Sequence, residues 1–374
     1  MGNIFEDYFG ELPDPRVERT KRHKLLDIVA IAMCGVICGA DNWVEIEEFG
    51  LIREEWLRGI LELPNGIPSH DTFGRVFARL DAEAFRRSFM AWVRAVHTLT
   101  AGQVVALDGK TMRGSAEASS GKAALHVVSA WASENQMVLG QLAVEGKSNE
   151  ITAIPQLLEM LVVQGCIVTV DAMGCQKKIA QAIVDAQADY LLRVKANQEH
   201  LYQDLEDWFA YAQQTHFAQM TYSHDQVVGK DHGRVEIRDC WVVSDPLAFE
   251  YIRHYEGWPN LRSIAKVVRQ RVLADSSSTE TAYYISSLDS DAQLILACSR
   301  GHWAVENSLH WVLDVAFRED AARYRQENGP ENFALLRKLA LNLLRQDKTV
   351  KIGAKGKRLR AALDPAYLRH LLNQ

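Results

Sequence analysis

From residue 103 onward the chain changes its periodicity, and the order of its strand-like and helical runs leaves few sheets that it could build. "QVVALDG", "LHVVSAWAS" and "MVLGQLAVE" are short runs dense in apolar and β-branched residues, which is how strands read. "SNEITAIPQLLEMLVVQG" reads as a capped amphipathic helix, and "CIVTVDAMG", a helix over about 175–187 and "YLLRVK" complete the series. Strands that succeed one another directly pair as a meander, whereas strands separated by helices pair in parallel. The expected core is one α/β sheet with an antiparallel half and a parallel half.

That element order is the order of the ribonuclease H-like fold. Residues 1–98 differ and read as all-α. An apolar helix is expected at 22–39, an amphipathic one at about 43–62, then the turn "LPNGIPS" and a third helix, "SHDTFGRVFARL", at 69–80. Ser69 or Asp71 would cap that helix, and Phe73, Val76, Phe77 and Leu80 form its apolar stripe. Helix, Gly/Pro turn, helix is the outline of a helix-turn-helix, with Arg75 and Arg79 projecting from the second helix, although any small helical bundle has such corners.

The most apolar run, "LLDIVAIAMCGVICGA", comes after "RTKRHK" and so mimics a signal or membrane segment. It is too short to span a bilayer comfortably, carries Asp27 and lacks an evident cleavage pattern, so a buried helix is expected. The six cysteines contain no CxxC pair, which fits a reducing cytoplasm. A net charge of −6 speaks against a nucleic-acid partner, but its distribution does not. Residues 16–24 hold five Lys/Arg against one acid, and residues 345–360 hold seven against one. Either run alone reads as a solvated face; together they put basic ends on a more acidic middle.

Two apolar strand runs lead into an aspartate, Asp108 and Asp171, each succeeded by small residues. Sites in open α/β sheets gather beyond the carboxyl ends of strands. One such aspartate is often a turn residue, but two in the same sheet point to a site. A third acid comes from "GHWAVENSLHWVLDVAF", residues 301–317, where His302, Glu306, His310 and Asp314 stand four apart. At about 100° per residue, Val305, Leu309, Val312 and Ala316 form the core stripe, Glu306 falls at its edge and Asp314 lies further round. His302 and Asp314 end about 120° apart, so the four cannot share one ion. An HExxH zinc helix is absent. Glu319, beyond Phe317, is expected in solvent. Asp108, Asp171 and Glu306 supply hard oxygen ligands suited to two Mg²⁺ ions, with Mn²⁺ as substitute. Such a pair activates a water or 3′-hydroxyl and stabilises the leaving oxygen in phosphodiester transfer. The Gly-Lys-Thr of "GQVVALDGKT" is no phosphate loop, because six residues rather than four separate Gly102 from Gly109.

The blocks "FGELPDPRVERTKRHKLLDIVAIAMCGVICGADNWVEIEEFG", "ALDGKTMRGS", "VTVDAMGCQ", "LLRVKANQ" and "RGHWAVENSLHWVLDVAFRED" resemble the DDE transposases of bacterial insertion sequences, and within them the H-repeat-associated subgroup. The resemblance covers almost the whole chain. It implies a helical N-terminal DNA-binding or associated domain over 1–98 and a ribonuclease H-like catalytic domain over 99–350. A strand-rich insertion at about 216–288 and a basic C-terminal tail at 351–374 complete the expected organisation. The implied triad is Asp108, Asp171 and Glu306, and the implied activity is metal-dependent cleavage at the ends of the element and transfer into target DNA. The wider group places Tyr, Arg, Glu and Lys around the final acid; here those positions are Ser299, His302, Glu306 and Leu313, so only the glutamate is kept. His302 then stands in for the arginine as a phosphate donor. Lys110, Arg113 and Lys195 beside the strand ends are the other expected phosphate ligands. The partner is double-stranded DNA, both element ends and target, bound without a membrane and by a homodimer in the bacterial cytoplasm, at the nucleoid. A nuclease that cuts without joining and an inactive DNA-binding remnant are the alternatives.

Overall fold

The computed structural model describes residues 4–116, 121, 123–144, 150–231, 234–273 and 275–373. Its amino-terminal helices are α1 (Ile4–Phe9), α2 (Leu25–Ile37), α3 (Trp43–Ile52), α4 (Glu54–Arg58), α5 (His70–Arg79) and α6 (Ala82–Val96). α2 is the apolar run, and it is buried without a break from Asp27 to Ile37. A helix that is apolar all round must be covered all round. Its Asp27 carboxylate accepts the Leu63 N–H at 3.1 Å, and burial raises its pKa. Among the described residues no helix is long and apolar enough to cross a membrane.

The single helix expected at 43–62 is broken at Arg53, whose φ of −107° separates α3 from α4. The turn and α5 then complete the corner. Ser69 sits at the N-cap position of α5 but its side chain makes no cap bond; Glu47 of α3 accepts the His70 N–H at 2.8 Å instead. One carboxylate thus closes the exposed end of α5 and ties the corner together.

The sheet starts with β1 (Val104–Met112), β2 (Leu125–Ala132) and β3 (Met137–Val144). Helix α7 (Glu150–Glu159), β4 (Ile167–Val170), α8 (Lys177–Asp185) and β5 (Asp189–Val194) come next. Strands β1, β2 and β3 pair antiparallel, and β1–β4 and β4–β5 pair in parallel, in the order β3-β2-β1-β4-β5. This is the ribonuclease H-like arrangement expected from the element order. Beyond α9 (Glu199–Gln214) come β6 (Tyr222–Asp231), β7 (Arg234–Val243), α10 (Pro246–Tyr251), β8 (Ser263–Val272) and β9 (Ser277–Ser286). These four strands are antiparallel, and β9 pairs with β5, so the strand-rich segment extends the core into one nine-stranded sheet. An uncovered β5 would present an open edge of unpaired backbone groups.

After the sheet come α11 (Ala292–Val305), a π-helical turn (Glu306–His310), α12 (Trp311–Phe317), α13 (Gly329–Gln346), α14 (Ala354–Leu363) and α15 (Pro365–Leu372). α13 packs against α2, α5 and β3, which places it between the helical region and the sheet. Its Asn332 donates to the carbonyls of Phe77 and Leu80 at 2.8 and 2.9 Å, closing the carboxyl end of α5. Trp43 stacks on Phe77 from α5 and meets Phe333 of α13 edge-on. The helical region and the sheet therefore share one core.

The stretch expected as a basic tail is folded. Lys357 and Arg358 of α14 are buried. The lysine donates to the Leu344 carbonyl at 2.8 Å, and the arginine donates to the Val36 carbonyl at 3.0 Å and Asp41 at 2.9 Å. Both basic groups satisfy carbonyls that a helix end leaves without an intrahelical donor. A run of positive charge that looks solvated in one dimension is here partly internal.

Candidate active site

Asp108 does not end its strand. β1 continues to Met112 in antiparallel register with β2, where Asp108 faces Ser129. Only the parallel register with β4 stops, at Leu107 opposite Val170. Asp108 and Asp171 therefore come directly after matched residues on neighbouring strands, which run about 4.8 Å apart. Asp171 caps the short turn after β4, its Oδ1 accepting the N–H groups of Met173 at 3.0 Å and Gly174 at 3.2 Å. Burial pushes the Asp108 carboxyl up to about 6; His310 opposes the rise and the Asp171 charge adds to it.

Gly109 next to Asp108 is dictated by packing, since a Cβ would collide with the Glu150 carboxylate and the His126 ring. That buried pair is joined at 2.5 Å, and the other nitrogen of His126 lies 2.8 Å from the Thr111 hydroxyl. In the sequence only the small residue hints at it.

The helix of 301–317 is not one α-helix. Glu306 opens a π-helical turn, which inserts a residue into the ladder and changes the local rotation of the helix. The edge position expected for Glu306 becomes an exposed one, with 66% of its side chain accessible. Leu309, Leu313, Ala316 and Phe317 are buried beyond it, and Val312 is only half-buried. The turn also brings in His310, which the four-residue spacing alone does not single out. Its Nδ1 lies 3.1 Å from Glu306 Oε2 and 3.5 Å from Asp108 Oδ2. Its Nε2 is buried without a hydrogen-bond partner. Asp108, Glu306 and His310 each offer a ligand atom within 4.8 Å of the others, the one such group among the described residues. The hydrogen bond with His310 holds Glu306 below the usual carboxylate range.

His302 sits behind Asp171, its Nδ1 3.0 Å from the Thr169 hydroxyl of β4. Burial lowers it to about 4 against the pull of Asp171, so the ring is neutral at pH 7. Lys110 is 12% accessible and enclosed by Asp314, by Glu319 at 3.1 Å and by Asp320 at 3.4 Å. Glu319, expected in solvent, is 2% exposed: burial works against its charge, and Lys110, Lys338 and Arg337 hold its pKa down nonetheless. Arg113 and Lys195 are exposed beside the strand ends, and Arg75 and Arg79 are exposed on α5.

A family model described as "Transposase DDE domain" matches residues 100–343, and one described as "DDE_Tnp_1-associated" matches residues 6–93. The chain belongs to the DDE transposase family. The H-repeat-associated subgroup is seen in its relatives. "Putative transposase YncI" of Escherichia coli O157:H7 is 42% identical over 98% of this chain and 93% of its own length. "H repeat-associated putative transposase YhhI" of E. coli K12 is 38% identical over 98% of this chain and 97% of its own. A shorter K12 relative, "Inactive transposase YbfQ", is 42% identical over 18% of this chain and 80% of its own. The DDE domain is an enzyme domain of the nuclease and transposase class, and its use implies a divalent metal.

Proposed function

We propose that this DDE family member is a working DNA transposase that binds the ends of its own element, cuts strands there and joins the 3′ ends to target DNA. The observation that carries the reading is the side-by-side placement of Asp108 and Asp171 at the end of the β1–β4 register, with Glu306 exposed and within ligand distance of Asp108 but not grouped with Asp171. Burial raises the pKa of Asp108, and the neighbouring Asp171 charge adds to the rise, so a divalent cation between the two carboxylates would offset both costs. The donor set fits hard divalent ions: Asp108, Asp171 and Glu306 would hold two Mg²⁺, replaceable by Mn²⁺. When bound, such ions make a water or 3′-hydroxyl nucleophilic and stabilise the leaving oxygen.

The chain's own residues do the rest. His310 restrains Glu306 through Nδ1, and Lys110 ties β1 to α12 and the turn after it, so that the strand bearing Asp108 and the helix bearing Glu306 keep their spacing. Neutral His302 supports the β4 end from behind rather than meeting phosphate as a cation. Arg113 and Lys195, on the open rim, take phosphates of the reacting strand, while Arg75 and Arg79 address the element end. The two sites act within a homodimer on DNA at the bacterial nucleoid.

The test is the purified chain with a duplex carrying the element's own end. After chelation, Mg²⁺ or Mn²⁺ is expected to restore both cleavage and joining. Cleavage that never proceeds to joining would establish a nuclease instead, and binding without either reaction would establish a remnant. Restoration by Zn²⁺ alone would move the ligand set toward His310.

A further inference from the structure

Beside Glu306 the sheet carries a second concave surface that the triad does not use. A cavity of about 270 Å³ lies between the β7–β8–β9–β5 face and α11, reaching Trp303 and Asn307 on either side of the glutamate. Its lining holds six arginines against two glutamates, an excess of four positive charges on a protein whose net charge is −6. The pattern is written at period two. Arg234, Glu236 and Arg238 share one face of β7, and Arg269 and Arg271 share the same face of β8.

The register makes this arrangement costly in isolation. Arg238 is directly opposite Arg269, and like charges in that position destabilise a sheet. Glu280 accepts from both Arg193 and Arg269 at 2.7 Å, and Glu236 accepts from Arg238 at 2.9 Å. These two carboxylates do not neutralise the face. The Nε atoms of Arg193, Arg234 and Arg271 are buried with no hydrogen-bond partner, although buried donors are nearly always paired. Burial lowers the pKa of Arg238, Glu236 opposes that, and Arg300, Arg269 and Arg234 lower it further.

We propose that this groove is a phosphodiester-backbone site, which holds a DNA strand running past Glu306 across the added half of the sheet without reading its bases. The inference rests on the transposase reading above. A single small anion fits less well, because the arginines extend over four strands, roughly 14 Å at about 4.8 Å per strand, a span that meets several phosphates in succession. The guanidinium groups of Arg269 and Arg193 stand 5.0 and 5.7 Å from the centre of the Trp303 ring, where they compete with the stacking of a base on it. Arg–phosphate contacts are strong and geometrically forked, but they carry no sequence information.

The experiment compares Glu306→Gln protein with the same protein carrying Arg238→Gln, Arg271→Gln and Arg300→Gln. Affinity is measured over a salt series for a duplex bearing the element end and for a random duplex of equal length. Each lost phosphate contact flattens the slope of log K against log salt by about 0.9, so the slope is expected to fall by two to three on both duplexes. The thermal midpoint is expected to hold or rise, since the opposed Arg238–Arg269 charges are relieved. An unchanged slope in a variant that melts normally overturns the groove, and so does a loss confined to the element end. Inorganic phosphate that competes as well as DNA at equal ionic strength overturns it in favour of a small-anion site. Absence of salt-dependent binding by the parent protein overturns the transposase reading together with the groove, whereas normal parent binding with an unaltered variant overturns the groove alone.

Discussion

At the scale of single residues, the site distinguishes acids by what surrounds them rather than by their position in the sequence. Glu306 is open to the solvent next to Asp108, while Asp314, two helical turns on, is bound to Lys110. Glu306→Gln, Asp108→Asn and Asp171→Asn are each expected to reduce cleavage by roughly two to three orders of magnitude, the scale of losing one charge-stabilising group, with end binding retained in gel-shift assays. Asp314→Asn leaves Glu319 and Asp320 to hold Lys110 and is expected to cut within a few-fold of wild type. A near wild-type rate for Glu306→Gln would falsify the triad. His310 acts through Glu306, and His310→Ala is expected to lower the cleavage rate about 10- to 100-fold, as for other residues that orient metal ligands. Weaker metal binding, read as a higher Mg²⁺ concentration for half-maximal rate, would separate this positioning role from a general loss of structure.

At the scale of elements, the helix of 301–317 shows where periodicity stops being informative. A rotation of 100° per residue places Glu306 correctly only if the helix is α throughout, and the π turn at Glu306–His310 breaks that condition. The amphipathic stripe was legible, and Val305, Leu309 and Ala316 are buried as expected; the exposure of Glu306 and the burial of Leu313 in place of Val312 were not. β1 gives the converse case. "VVALD" reads as a strand ending in an acid, but the strand goes on because β2 continues to pair with it. Lys110, the second residue after Asp108, then meets the acids of α12 and the turn beyond it, more than 200 residues away. Nothing local in "FRED" marks Glu319 as internal. Lys110→Met is expected to cost about 3 kcal/mol in urea denaturation, since it takes from the buried Glu319 carboxylate its hydrogen-bonded cation and leaves only the more distant charges of Lys338 and Arg337. Adding Glu319→Gln to that variant is expected to recover much of the loss.

At the scale of the whole molecule, the carboxyl-terminal helices close the structure over α2. Asp347, at the end of α13, is buried and accepts from Tyr367 of α15 at 2.6 Å and from the Thr349 backbone at 2.9 Å, with Lys357 at 3.4 Å. Burial works against its charge, but the hydrogen bonds of Thr349 and Tyr367 outweigh it and hold the carboxyl well below its ordinary range. A carboxylate depressed in the folded state stabilises the fold fully above its unfolded pKa, near 3.9, and this stabilisation is lost as pH falls below that value. Asp347→Asn is accordingly expected to lower stability by about 3 kcal/mol at pH 7, and the gap to wild type should narrow steadily below pH 4. A gap independent of pH would mean that packing rather than charge accounts for the loss.

The sequence by itself determined the order and type of the elements from β1 to β5, the buried character of α2, the ribonuclease H-like half of the sheet and the family. These rest on short-range periodicity and on blocks of adjacent residues, both of which survive in one dimension. The tertiary structure decided which strand the added segment would pair with, that "RVEIR" and "RQR" would lie on one face of one sheet, and that Lys357 and Arg358 would be internal. It also decided that His310 rather than His302 would meet the acids. In each of these cases the environment of a charged group is set by residues far away in the chain. A charge in isolation reads as solvated until the partner that desolvates it, or neutralises it, is in place.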